Sequence, residues 1–291
     1  MLLRILSVVF PIFAIVGIGW AYGRLKKPDM STCNVLNMDL FTPLLIFSTL
    51  AVKHVPVNEH LPLAVGGTCV VLGSGLLAWG LARALGQQPK TLAPPIMFKN
   101  SGNMGLPLVL LAFGEAAMPA AIVLFLVENF LHFSFGAWLL DHRVKLATLW
   151  KVPVMFAGIA GLIVGYSGIT IWAPLGTAIR MLADICVPLM LFSLGVRMTA
   201  VRLRALHAGL VGGIASPIFG MLIAWAIAPL LGLQGMSAAQ LLLFGALPPA
   251  VLNYIFAERY GQEPDKVAAM VLTGNLLSLL FVPLALALAF D

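Results

Sequence analysis

The sequence predicts an all-α integral membrane protein of ten transmembrane helices, built as two inverted five-helix repeats. Three observations carry this expectation. First, 61% of the 291 residues are hydrophobic and 10% are charged, with a mean hydropathy of +1.02. A soluble domain carries about 25% charge, so this chain lacks the polar residues to cover a water-facing surface. Second, Asp39-LFTPLLIFS, ending at Ser48, returns as Asp184-ICVPLMLFS, ending at Ser193, an offset of 145 residues. Such a half-length repeat marks a duplicated unit. Third, the basic residues concentrate in alternate gaps between apolar runs.

The first run, 3–22, has Arg4 in front, contains Pro11 and is followed by Arg24, Lys26 and Lys27. A signal peptide carries its positive charge before the apolar stretch and a small-residue cleavage site after it, so this run is expected to remain as a helix. Punctuation by Gly, Pro and charge then delimits 32–51, 61–84, 92–113, 117–140, 152–169, 174–196, 206–230, 238–258 and 266–289. Most are near the roughly 20 residues that cross a bilayer. Residues 1–140 form the first repeat, 141–151 (DHRVKLATLWK) a cytoplasmic connector, and 152–291 the second repeat. Weaker matches keep the register: Pro11-IFA with Pro153-VMFA, Asn129 with Asn275, and Phe113-Gly114 with Tyr260-Gly261.

Orientation follows from the gaps. Arg24, Lys26 and Lys27 fill the first, Arg83 and Lys90 the third, Arg143, Lys145 and Lys151 the fifth, and Arg197, Arg202 and Arg204 the seventh. The opposite side holds Lys53 and Arg4. The positive-inside rule places the odd gaps in the cytoplasm and both termini outside. The ninth gap is mostly acidic, but acidic residues weigh little in this rule. Five spans per repeat is an odd number, so the second repeat enters from the opposite side. The net charge of +6 thus reads as cytoplasmic loops beside lipid headgroups, with no nucleic acid partner.

Chemical motifs are sparse. Cys33, Cys69 and Cys186 lie far apart, and the five histidines are scattered. No metal-ligand spacing, GxSxG, HExxH or P-loop is present, and neither a metal nor a cofactor is expected.

The fourth span carries Asn100-Ser101-Gly102-Asn103-Met-Gly-Leu-Pro107 at its middle. Pro107 has no N–H for the carbonyl four residues earlier, and glycine costs backbone entropy, so a continuous helix is disfavoured. Inside a bilayer, freed backbone groups survive only when buried in protein or lining a cavity. The ninth span is interrupted at the matching place by Pro248-Pro249, ahead of Asn253. Two such breaks in inverted repeats should cross near the bilayer centre. Their half-helix N-termini present unpaired N–H groups and partial positive charge, for which a carboxylate is a natural guest.

NSGNMGLPL in the fourth span, ALPPAVLNYIFAERYG in the ninth and the proline-containing second and seventh spans resemble the auxin efflux carrier family, which includes bacterial organic-acid carriers. The resemblance runs over essentially the whole chain, which looks like a compact bacterial-type member without a long central cytoplasmic loop. It implies a fold like that of the bile-acid/sodium symporters. In that fold spans one, two, six and seven form a scaffold. Spans three to five and eight to ten form a moving transport domain. The resemblance further implies elevator-like transport of a small organic anion, a mono- or dicarboxylate, across the inner membrane.

Candidate substrate-binding residues are Lys99, Asn100, Ser101, Gly102, Asn103, Pro107, Pro248, Pro249 and Asn253, with Asn129 and Asn275 following the breaks. Lys99 could neutralise a substrate carboxylate, snorkel to an interface or pair with Glu128. Glu128 could carry a coupling proton or be a fixed partner of Lys99 or Arg180. Its counterpart in the second repeat is Gly274. Asp39, Asp184, Pro43 and Pro188 are expected to be structural, the aspartates hydrogen-bonding at an internal contact of the scaffold, with Arg180 and Asp184 at pairing distance along a helix. Gly161-LIV-Gly165 and Gly209-LVG-Gly213 suit either internal packing or a homodimer. The alternative functions are a sodium-coupled symporter of larger amphipathic acids and a membrane-embedded sensor or enzyme.

Overall fold

The computed structural model describes residues 2–52, 57–143, 152–200 and 205–290. Among them the chain is all helical: α1 (Leu2–Lys26), α2 (31–52), α3 (Val57–Ala84), α4 (Pro89–Met97), α5 (Ser101–Phe113), α6 (Glu115–Leu140), α7 (Pro153–Ser167), α8 (Ala173–Arg197), α9 (Leu206–Leu230), α10 (Gly235–Ala246), α11 (Leu252–Tyr260) and α12 (Pro264–Phe290). Seven of these, α1, α2, α3, α6, α8, α9 and α12, hold stretches long and apolar enough to cross a membrane. The expected fourth and ninth spans are each split, into α4 and α5 and into α10 and α11.

Local chemistry sets the helix ends. α1 closes with Arg24 and Lys26 in its last turn, where cations complement the exposed carbonyls. α7 and α11 stop at Gly168 and Gly261, whose φ values of 68° and 65° are left-handed and suit glycine beyond a helix.

The helices pack with very small separations. α1 runs along α8, the later half of α2 along α7, and α9 along α3, α10 and α12. A Cβ at Gly19 would lie 2.2 Å from the Phe192 carbonyl oxygen, and one at Gly195 2.0 Å from that of Val16. Gly161 faces Phe47 and Leu50, while Gly209 and Gly213 face Ala269, Thr273 and Gly274. These glycines of the small-residue patterns therefore serve packing within the chain. Large apolar side chains such as Phe10, Leu76, Phe156 and Trp225 cover the outer surface, as a lipid-facing surface requires.

Asp39 and Asp184 correct the sequence reading. Both are exposed, and neither makes a hydrogen bond or ion pair among the described residues. Arg180 is also exposed and does not pair with Asp184. In α2 the cause is a π-helical turn at Asn37–Phe41. Pro43 cannot donate to the carbonyl of Asp39, and the extra residue of the π-turn carries Asp39 off the face on which Asn37, Thr42 and Ile46 are buried. In α8 the buried face is set by Ala183, Cys186 and Met190, and Asp184 lies a further 100° or so around the helix. Pro43 is buried and Pro188 exposed, both inside their helices. Expectations for Lys53, Lys145, Lys151, Arg202 and Arg204 concern residues outside the described ones.

Candidate functional site

The site begins with two interruptions that complete each other. α4 ends at Met97, and Phe98 turns extended, with φ −95° and ψ 115°. α10 ends at Ala246, and Leu247 turns extended, with φ −63° and ψ 145°. Pro248 and Pro249 then enforce the break, because neither has an N–H and each disfavours helix in the residue before it. The extended stretches pair antiparallel at Lys99 and Pro249. Asn100 N–H donates to the Pro248 carbonyl at 2.7 Å, and Ala250 N–H to the Phe98 carbonyl at 3.0 Å. Backbone groups that would be costly inside a bilayer are thereby satisfied by the opposite break.

Amide side chains clamp this crossing. Asn253 Nδ2 donates to the carbonyls of Phe98 at 3.1 Å and Ala250 at 3.0 Å. Asn100 Nδ2 donates to Asn275 Oδ1 at 3.0 Å. Asn275 Nδ2 in turn donates to the carbonyls of Val271 at 2.6 Å and Pro249 at 3.4 Å. All three asparagines are buried.

The buried charges divide between the two ends of the first break. Glu128, on α6, accepts the backbone N–H of Lys99 and the hydroxyl of Ser101, so its carboxylate sits at the N-terminal end of α5. The ammonium of Lys99 donates to the Ile96 carbonyl at 3.0 Å, the Ser216 carbonyl at 2.5 Å and Ser216 Oγ at 2.9 Å. Three donors thus meet three acceptors at the carbonyl end of α4, where a cation is favoured. Lys99 and Glu128 form no ion pair among the described residues, and Lys99 keeps no donor for direct contact with a substrate carboxylate. Glu128 accepts two hydrogen bonds from the break.

A cavity of about 80 Å³ lies against the crossing. Lys99, Asn100, Ser101, Gly102, Asn103, Glu128 and Asn129 border it, together with Met38 of α2 and Met190 of α8. Asn103 is half-buried and has its amide uncommitted among the described residues. Asn129 uses Nδ2 on the Phe125 carbonyl at 2.8 Å. A second cavity, of about 570 Å³, extends from Arg197, Met198, Ala205 and Asp265 to Val251 and Asn275, and Val251 borders both. Asn253, Pro248 and Pro249 build the crossing without lining either cavity, and Pro107 is buried within α5.

Sequence reading missed two side chains here. His132 borders the smaller cavity, stacks on Phe98 with ring centroids 4.0 Å apart, and leaves a buried Nε2 without a partner. Its signal was position, one helical turn after Glu128 on α6. Arg197 read as a topology signal, yet it lines the larger cavity.

The chain matches the family described as membrane transport protein over residues 4–149 and 137–286. It is 24% identical over 301 aligned positions to an uncharacterized transporter of Methanocaldococcus jannaschii, spanning 96% of this chain and 97% of that protein. It is 26% identical over 305 positions to a protein of Rhizobium meliloti named "Putative malonate transporter", spanning 94% and 92%. With this family matched over nearly its full length, the chain belongs to the membrane transport proteins of the auxin efflux carrier family.

Proposed function

We propose that this protein is an elevator-type secondary carrier of a small organic anion, a mono- or dicarboxylate, bound at the crossing of the two helix breaks. The observation that carries the reading is the crossing itself, where two interrupted helices pair their extended segments beside a cavity lined by Asn103, Asn129 and the start of α5. The backbone N–H groups in the first turn of α5 and the uncommitted amide of Asn103 offer donors to an anion, beside the carboxylate of Glu128 already held at that end. The relative from Rhizobium meliloti, whose name refers to malonate, supports a dicarboxylate.

Ten membrane crossings result when α4 with α5 and α10 with α11 each count as one. The packing supports inverted repeats 1–140 and 152–291: α1 lies on α8 as α7 lies on α2, and α3 meets α4 as α9 meets α10. The helices α1, α2, α7 and α8 form the scaffold in this reading, and the others move against it. The topology has both termini outside the inner membrane. It gains support from Thr91 Oγ1, which donates to Glu263 Oε2 at 2.8 Å and joins the third gap to the ninth.

Purified protein in liposomes is expected to take up labelled malonate, and Asn103→Ala to lose most of that uptake while melting like the wild type. Normal transport by Asn103→Ala would remove the site assignment. Uptake that disappears when choline replaces sodium would favour a sodium-coupled symporter.

A further inference from the structure

We infer that Arg197 forms a carboxylate-capture site in the larger cavity, an antechamber that the transported anion occupies before it reaches the crossing. The inference rests on the carrier reading above and extends it to a residue outside the crossing.

Arg197 is the last residue of α8 and is half-buried against a cavity of about 570 Å³. Most of the wall is apolar, with Leu194, Met198, Ile255 and Leu272 among its side chains. Arg197 is the basic residue of that wall, and no carboxylate pairs with it among the described residues. The acidic group on the same cavity, Asp265, is exposed and does not bridge to it. A guanidinium withdrawn from water against apolar side chains is costly unless an anion meets it. Its fork of donors matches the two oxygens of a carboxylate.

The place of the cavity says which anion. Val251 belongs to the walls of both cavities, and Asn275, which clamps the crossing, forms part of the larger one. A solute entering past Arg197 therefore arrives beside Asn275 and the helix breaks. Met198 and Ala205 line this cavity and flank the seventh gap, cytoplasmic in the proposed topology. Arg197 thus serves the cytoplasmic approach, while Asn103 serves the crossing that both approaches share.

The test is transport of labelled malonate in liposomes of defined orientation, with substrate offered from either face. Replacing Arg197 by Gln is expected to raise KM from the cytoplasmic face by about tenfold, the loss expected for one partly solvated charge-assisted contact. KM from the opposite face stays within about twofold of wild type, since that approach does not pass the guanidinium. Raised ionic strength should weaken cytoplasmic-face affinity in the wild type and leave R197Q nearly unaffected. Arg197→Lys, which keeps the charge without the fork, should fall between the two. It also serves as the test variant if R197Q fails to fold. Unchanged cytoplasmic KM in a folded R197Q, or in R197K where that variant stands in, overturns the capture site, as does an equal rise from both faces. A wild type that moves malonate while R197Q matches it refutes the antechamber alone. A wild type that moves no carboxylate refutes the carrier reading beneath it.

Discussion

Glu128 and Gly274 occupy corresponding places in the two proposed repeats and look incompatible, one a carboxylate and the other no side chain. The crossing explains both. Glu128 accepts the backbone N–H of Lys99. The residue facing Lys99 across the bridge is Pro249, which has no N–H to accept and whose ring fills the space above Gly274. A Cβ at Gly274 would lie 2.4 Å from Pro249 Cδ, and the rigid ring leaves it no room to adjust. Gly274→Ala should therefore destabilise the protein by about 1–3 kcal/mol, the usual cost of overpacking, and strongly reduce transport. Thermal melting in detergent and uptake in liposomes measure the two effects. Glu128→Gln sets an amide NH₂ against one of two donors, Lys99 N–H or the Ser101 hydroxyl. The expected loss is about 1–3 kcal/mol for one buried group left unmatched. A melting temperature equal to wild type would show that Glu128 does not hold the break.

Among the helices, the breaks were legible because their causes are local. Pro248 and Pro249 have no N–H, so helix fails there whatever surrounds them. In the fourth span the break falls at Phe98–Asn100, just ahead of most of the Asn/Gly/Pro cluster, while Ser101–Gly105 form a π-helical turn and Pro107 sits inside α5. The partners of the breaks were not legible, since they come from distant segments. Asn100 reaches Asn275, and Asn253 reaches the Phe98 carbonyl. Asn275 and Asn100 should consequently be coupled. A double-mutant cycle with Asn100→Ala and Asn275→Ala is expected to give a coupling of about 0.5–3 kcal/mol in melting experiments, as for residues sharing one buried network. Strict additivity would mean that the amide clamp contributes nothing. The π-turn in α2 is a case where sequence reasoning went astray. The repeat suggested one role for Asp39 and Asp184, but an added residue per turn rotated Asp39 outward, a change that a period of 3.6 cannot anticipate.

Across the molecule, Glu263 ties the ninth gap to α4 through Thr91, and it also pairs with Lys266. The Lys266 bond holds its carboxyl below the ordinary 4.5, partial burial opposes this, and the Thr91 hydroxyl lowers it further. A depressed carboxyl contributes stability that is complete above its unfolded pKa and fades as pH falls through the lower folded value. Thr91→Val should therefore lower the melting temperature slightly at neutral pH, with the difference from wild type vanishing in acid. The effect is small because the pair is well exposed to solvent. Topology offers a second test at this scale. A cysteine at Gln262 should react with an impermeant thiol reagent from the cytoplasmic face, and one at Ser167 from the opposite face. The reverse labelling would invert the proposed orientation.

By itself, the sequence determined what depends on neighbouring residues and composition: the membrane as solvent, the approximate positions of the helices, the two spans in which helix fails, and the family. Hydropathy and proline chemistry act locally, so they can be read one segment at a time. Tertiary structure decided what depends on distant segments meeting. It set the breaks against each other, turned the ammonium of Lys99 onto Ser216, made Glu128 an acceptor for the break, brought His132 to the smaller cavity and placed Arg197 on the wall of the larger one. The direction of a buried polar side chain follows from which partner lies within hydrogen-bond reach, and no local pattern encodes that partner.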